Sequence, residues 1–327
     1  MAPSYDATAT ASGLVTDFAS AIKDKVVLTT GVSSGSLGAL FVEAIAKAQP
    51  ALLILASRSP AKIEKTAASI QADNPDVRIR ILELDLGSLL AVRKSAETVN
   101  SWQDVPSIDV LVNNAGIMAV DYKLTAEGIE SQFATNHVGH FLFANLIMEK
   151  LLAANSPRVV NVSSDGHRAS AIRFADYNFD NGKTYNKWVA YGQSKTANIL
   201  FSLSLAEKLG KRGLQSYSLH PGVINTNLGT HIDWNEDIHG LLALDRSLGN
   251  AEGWGTDFKW KTPDQGAATH VFAAFATTLK ENNGSYLENS HIADPWVDTV
   301  KPWATSPIEA ERLWKLSEKL VGQEFPY

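Results

Sequence analysis

The stretch "YGQSK" sets Tyr191 and Lys195 four residues apart, and on a helix that spacing puts both on one face. A phenol titrates near pH 10, and an ammonium beside it favours the phenolate. A downward shift of about three units, roughly 4 kcal/mol, would let this tyrosine give and take a proton near neutrality. Such a group can exchange a proton with a substrate oxygen while a nicotinamide exchanges a hydride with the adjoining carbon. The run "RVVNVSS" ends in Ser163 and Ser164, either of which could hydrogen-bond the reacting oxygen. The run "LVNNAG" ends in Asn114, Ala115 and Gly116, small enough for a cofactor ring to lie close to backbone.

A nucleotide site is foreshadowed by "TTGVSSGSLGA", residues 29–39, with glycines at Gly31, Gly35 and Gly38. The G-x-x-x-G-x-x-G spacing is not the G-x-G-x-x-G dinucleotide fingerprint, yet the loop follows an apolar run and opens a helical pattern, as that reading requires. Helix-start N–H groups and the helix dipole favour a pyrophosphate there. Gly31 permits the turn, Gly35 permits close backbone approach, and Ser33, Ser34 and Ser36 add hydroxyl donors. About 20 residues on, dinucleotide folds place a carboxylate against the ribose. Here "LASRSPAK" offers Arg58, whose guanidinium suits a 2′-phosphate, so the cofactor expected is NADP(H).

These groups need strand ends to hold them. Apolar runs at 25–30, 51–57, 77–85, 108–114, 158–164 and 214–220 read as buried strands. Helical patterns lie between and after them, at about 36–48, 60–72, 88–100, 124–154, 188–212, 263–280 and 307–321. Continuously apolar strands separated by helices imply a doubly wound α/β fold, a parallel Rossmann-type sheet covered on both faces. Its functional loops sit at the carboxyl ends of the strands. One domain over 24–327 is expected, preceded by a weakly ordered extension over 1–23. The long segments 165–187 and 225–262 interrupt the alternation. The second, rich in aromatics, reads as a substrate-covering segment in which some of Trp234, Trp254 and Trp260 face the substrate.

The 327 residues are 45% hydrophobic and 20% charged, ordinary for a globular protein. A net charge of -6 offers no basic stripe for nucleic acid. No apolar run approaches the roughly 18 residues that span a bilayer. The start lacks the cationic and apolar regions of a secretory signal, and there is no cysteine; a cytoplasmic location is expected. His137 and His140, three apart without an evident third ligand, read as packing residues and not as a metal pair. His220 likewise reads as structural.

Taken in order, "TTGVSSGSLG", "ELDLGS", "NNAG", "TNHVGHF", "VNVSS", "YGQSK" and "HPGVINT" resemble the short-chain dehydrogenase/reductase family over roughly residues 25–290. The resemblance implies a catalytic tetrad. Tyr191 is the acid/base, and Lys195 lowers its pKa and binds the nicotinamide ribose. Ser164, the second of its pair, orients the substrate oxygen, and Asn136 supports a water-mediated proton relay with Lys195. Asp85 and Leu86 would meet the adenine, Asn114, Ala115 and Gly116 would lie along the cofactor, and Val223 and Thr226 would contact its carboxamide or phosphates. The family's third glycine would stand where Leu37 does. Either the turn carries an extra residue, or Leu37 takes the position and Gly38 packs the helix on the sheet.

Ser164 and Tyr191 stand 27 residues apart, wider than is usual in the family. The intervening sequence resembles the branch of retinol dehydrogenases and protochlorophyllide reductases, which handle lipophilic alcohols and ketones, mostly with NADP(H). The glycine loop also resembles reductases of fungal natural-product pathways, which implies secondary metabolism. A lipophilic or aromatic small-molecule substrate is therefore expected, with homodimers formed through a helix like 188–212 unless the long insert blocks it. The other readings are an NADP(H)-binding sensor or scaffold without turnover, and an epimerase or dehydratase on the same fold.

Overall fold

In the computed structural model, which describes residues 5–250, 254 and 259–327, the six apolar runs become six parallel strands. These are β1 (Val26–Thr30), β2 (Leu52–Ser57), β3 (Ile79–Glu83), β4 (Val110–Asn113), β5 (Arg158–Val162) and β6 (Gln215–His220). Two short strands follow that the sequence pattern does not announce, β7 (Tyr286–Glu288) and β8 (His291–Ile292), the last antiparallel. The sheet order is β3-β2-β1-β4-β5-β6-β7-β8. The chain thus leaves β1 in opposite directions, and the crevice at that switch point is where such sheets bind ligands.

Alternation along each strand supplies two cores. Leu28, Ile54, Leu111 and Val159 face one side. There they meet α5 (Leu89–Ser101), α7 (Gly139–Leu146), α9 (Lys187–Leu209) and α12 (Pro307–Val321) through Val92, Phe141, Leu200 and Trp314. Val27, Leu53, Val110 and Val160 face the other. There they meet α3 (Leu37–Ala46), α4 (Pro60–Asp73) and α11 (Pro263–Phe275) through Phe41, Ile63 and Val271. Burial of each such side chain contributes roughly 1.5–3 kcal/mol.

Residues 11–22 are not the loose extension expected. They form α1 (Ala11–Asp17) and α2 (Ala19–Ile22). Ala11, Leu14, Val15 and Ile22 are buried in the second core, and Thr10 caps α1. The composition is Ala/Ser/Thr-rich, but the few apolar residues fall on one stripe, which is enough when α11 and α3 provide a face. Ser12 fixes the docking, its N–H and Oγ donating to the Asp264 carboxylate at 3.0 and 2.6 Å.

The helical pattern over 124–154 begins only at Ser131. It comprises α6 (Ser131–Phe133), a π turn over Ala134–Val138, α7 and α8 (Met148–Leu152). The segment 225–262 contains a helix, α10 (Trp234–Ser247). Ile238, Leu241 and Leu242 of α10 pack with Trp188 and Ala119 in a separate cluster above the strand ends. The helix expected to join copies, α9, is covered on its second half by α12. Phe201 meets Trp314, Ser204 donates to the Ala310 carbonyl, and Lys208 pairs with Glu311.

Candidate active site

A cavity of about 1020 Å³ opens along the carboxyl ends of the strands. Its walls include Gly31, Ser33, Ser34, Leu37, Arg58, Asp85, Leu86, Asn114, Ala115, Gly116, Ser164, Tyr191, Lys195, Val223 and Thr226. Of the expected site residues only Gly35 and Asn136 lie behind the wall.

The glycine loop resolves the question its spacing raises. Gly31 has φ +74, and a Cβ there would stand 2.6 Å from the Ala115 Cα, so only glycine fits without strain. Gly35 has φ +79 and turns the loop. Ser36 is the cap of α3: its Oγ accepts from the Ala39 N–H at 3.2 Å and donates to the Gly31 carbonyl at 2.7 Å. That hydroxyl is therefore engaged internally and is not the free donor expected. Leu37 begins the helix. A Cβ on Gly38 would meet the Asn114 amide at 2.5 Å and the Gly31 carbonyl at 2.7 Å. The late glycine is thus the contact by which α3 closes on the "NNAG" turn. The first amides of α3 keep no intrahelical acceptor, and the loop fits a pyrophosphate.

Thr30 and His140 lock this floor from beneath. The Thr30 Oγ1 accepts the N–H groups of Asn114 and Ala115, each at 3.0 Å, and meets His140 Nε2 at 2.9 Å. Both its lone pairs being used, the hydroxyl donates to the imidazole. His140 Nδ1 then donates to the Asn136 carbonyl at 3.0 Å. The ring is neutral, and burial holds its pKa down to about 4. Asn136 lies in the π turn, where its Nδ2 donates to Ser194 Oγ at 2.8 Å and to the Ile117 carbonyl at 2.9 Å. Its Oδ1 accepts from the Ile117 N–H at 2.8 Å, and Ser194 donates to the Tyr191 carbonyl at 2.7 Å. One buried chain of bonds thus links the cofactor-side turn to α9.

Tyr191 and Lys195 occupy one face of α9, the ammonium 5.5 Å from the phenol ring centre. Lys195 Nζ donates to the Val162 carbonyl at 3.1 Å. Burial pulls this ammonium down to about 8 and pushes the phenol up to about 12, the hydrogen-bonding Ser164 hydroxyl working against the rise. This reverses the direction expected from the Tyr/Lys spacing. Removal from water is the larger cause, and the phenol keeps its proton at neutrality. Of the paired serines, Ser163 is turned away and donates to the Lys195 carbonyl at 2.7 Å. Ser164 faces the cavity, its Oγ accepting from Gly166 N–H at 2.9 Å.

Two glycines of this end carry no sequence motif of their own. A Cβ on Gly166 would stand 2.7 Å from the Tyr191 ring, and one on Gly192 would stand 2.9 Å from Ala169 Cβ and the Gly166 carbonyl. They let α9 approach the Ser164 turn closely. At the far end Lys62 and Lys65 join Arg58 on the wall; Asp85 is tied back to Gly87 N–H at 3.0 Å. The cavity is also lined by Met118, Ala169, Trp188, Ile232, Leu241, Trp234, Trp254 and Trp260. His137 meets Ser317 Oγ at 2.7 Å and lies in the core. Among the described residues no group of three metal-binding side chains occurs, and no helix is long and apolar enough to cross a membrane.

A glycine-turned strand–helix loop at a parallel-sheet switch point, leading to Ser, Tyr and Lys side chains, defines an oxidoreductase fold that binds a nicotinamide dinucleotide. The family model described as short chain dehydrogenase matches residues 25–178. Retinol dehydrogenase 14 of Mus musculus is 34% identical over 308 residues, spanning 91% of this chain and 86% of that one. The short-chain dehydrogenase/reductase prx1 of Penicillium rubens is 37% identical over 310 residues, spanning 92% and 86%. Among solved structures, an uncharacterised protein from Mycobacterium paratuberculosis superposes with TM-score 0.70 at 32% identity, over 94% of this chain and 96% of that one. The chain belongs to the short-chain dehydrogenase/reductase family.

Proposed function

We propose that this enzyme uses NADP(H) to interconvert a carbonyl and a secondary alcohol on a lipophilic or aromatic small molecule, working as a reductase. The observation that carries the reading is one cavity with a cationic end, Arg58, Lys62 and Lys65, and a proton-donating end, Ser164, Tyr191 and Lys195, beneath apolar walls. When bound, the dinucleotide supplies or accepts the hydride. Gly31, Ser33, Ser34, Gly35 and the start of α3 hold its pyrophosphate, and Leu86 and Asp85 flank its adenine. Asn114, Ala115, Gly116, Val223 and Thr226 line its path to the nicotinamide. Lys195 holds the ribose.

The chain's own part is to bind and protonate the substrate oxygen. Ser164 donates a hydrogen bond to that oxygen, which grows more negative as the carbonyl is reduced. Tyr191, protonated at neutrality, delivers its phenolic proton there. Lys195 stabilises the resulting phenolate from one turn away, and the buried chain through Ser194 and Asn136 keeps α9 at a fixed height. Trp188, Trp234 and Leu241 exclude water and favour an apolar frame. The resemblance of the glycine loop to reductases of fungal natural-product pathways supports a place in secondary metabolism, and the composition supports a cytoplasmic enzyme, as a homodimer only by a face other than the α12-covered part of α9.

The test is consumption of NADPH and NADH with a panel of ketones and aldehydes. Tyr191→Phe should lower turnover about 10³-fold while leaving NADPH affinity, read by tryptophan quenching, unchanged. A sensor would lose nothing by the change, and an epimerase or dehydratase would show turnover without net change in nicotinamide absorbance. Arg58→Asp should lower the NADPH/NADH preference by about 30-fold; an unaltered preference would remove the 2′-phosphate assignment.

A further inference from the structure

His220 closes β6, in register with Glu288 of β7, and lines the cavity beside Asp165. Its Nδ1 accepts the backbone N–H of Asp165 at 3.1 Å. A backbone amide only donates, so Nδ1 carries no proton and the neutral ring holds its hydrogen on Nε2. Among the described residues that N–H has no acceptor, and it is not one of the sealed, unpartnered polar atoms of the interior. The residue is 8% exposed and lines the cavity. A fixed N–H donor therefore stands in the wall, on a ring tied to Asp165, the residue after Ser164.

Ser164 and Tyr191 already serve the reacting oxygen. Ala169, Trp188, Ile232 and Leu241 give the cavity its apolar wall, Asp165, Lys261, His167 and Lys195 are the charged and titratable groups near the ring, and Trp254 Nε1 donates to Asp165 Oδ2. A substrate oxygen within a few bonds of the reacting carbon would meet His220. A buried donor left unmatched discriminates against substrates lacking that oxygen.

We propose that His220 is a specificity-determining residue, its Nε2–H binding a second oxygen of the substrate, so that the site prefers vicinal diketones and hydroxyketones on an apolar frame over simple ketones. This rests on the reductase reading and names its substrate class. No proton moves at His220; hydride and proton go to the reacting carbonyl as before.

Propiophenone and its α-diketone analogue are the probes, with NADPH as reductant. His220→Asn keeps an acceptor near the Nδ1 position for Asp165 and removes the Nε2–H. It should lower kcat/KM for the diketone on the order of tenfold, mainly through KM, and leave propiophenone unchanged. His220→Gln extends an amide donor to the Nε2 position and should retain the diketone preference; NADPH binding reports that each variant is folded. An equal fall for both ketones would make His220 a support of the Ser164 turn alone and overturn the proposal, as would no fall for either. Wild-type protein inactive toward both ketones would instead overturn the reductase reading on which it rests.

Discussion

At the β1–α3 end of the cavity, Gly31, Gly38, Thr30 and Asn114 hold one another through bonds between a side chain and the backbone and through close approach. At the substrate end the ties are side chain to side chain across long stretches of sequence. Arg168 on the turn after Ser164 pairs with Asp245 of α10 at 2.9 Å, and both are buried. Asp165 lies 3.5 Å from the same guanidinium, which stacks over Trp254. Asp245 also takes the Asn250 amide and the Trp254 N–H. Lys187 at the start of α9 pairs with Asp237 of α10. An end whose side chains fix the backbone offers the same amides whatever the substrate, which suits a shared cofactor. A side-chain-built end can be rewritten one pair at a time, which suits substrate choice.

The sharpest way to break this contrast is Gly31→Val. A β-branched residue at φ +74, with its Cβ against Ala115, should cost on the order of 4 kcal/mol and abolish NADPH binding. Retained binding in a titration would show that the loop does not depend on its backbone shape. Asp245→Ala strips the buried Arg168 of its nearest carboxylate and should lower stability by about 3 kcal/mol in urea unfolding. NADPH affinity should stay within about twofold if the two ends are built independently.

The smallest effect depends on pH. Glu288 is pushed up to about 7 from 4.5, chiefly by burial and then by Asp165 and Asp298, and its Oε2 has no partner. A raised carboxyl adds stability that is complete below the unfolded value and is lost as pH rises through the folded one. Glu288→Gln should therefore match the wild type near pH 4.5. Near pH 8 it should be more stable by about 2 kcal/mol, allowing for partial exposure of the side chain. Equal stability at both values would mean that the carboxylate is accommodated after all.

What sequence made legible follows the same division. β1 to β6 are recognisable because a doubly covered parallel strand is apolar throughout. β7 and β8 escape notice because three and two residues carry no period. The loop, Tyr191, Lys195 and Ser164 sit where strand ends predict. Gly166 and Gly192 were silent, because their role is to admit a ring or a turn from elsewhere in the chain. The Arg168–Asp245 pair, 77 residues apart, leaves no local mark. The direction of the Tyr191 shift is not legible, because spacing reveals a charged neighbour but not how far both groups are removed from water. His140 and His220 looked like spare packing residues; only their partners fix which ring nitrogen bears the proton.

The seat of α1 has a consequence for the order in which the protein is made. Ser12 and the Asp264 that receives it are separated by 252 residues, and α11 emerges late in synthesis. At translation rates of about 5–20 residues/s, the apolar stripe of Leu14 and Val15 waits roughly 10–50 s for its resting place. α1 is thus among the last helices to dock fully, and a nascent chain halted before α11 would leave that stripe covered by α3 alone and open to any holdase within reach.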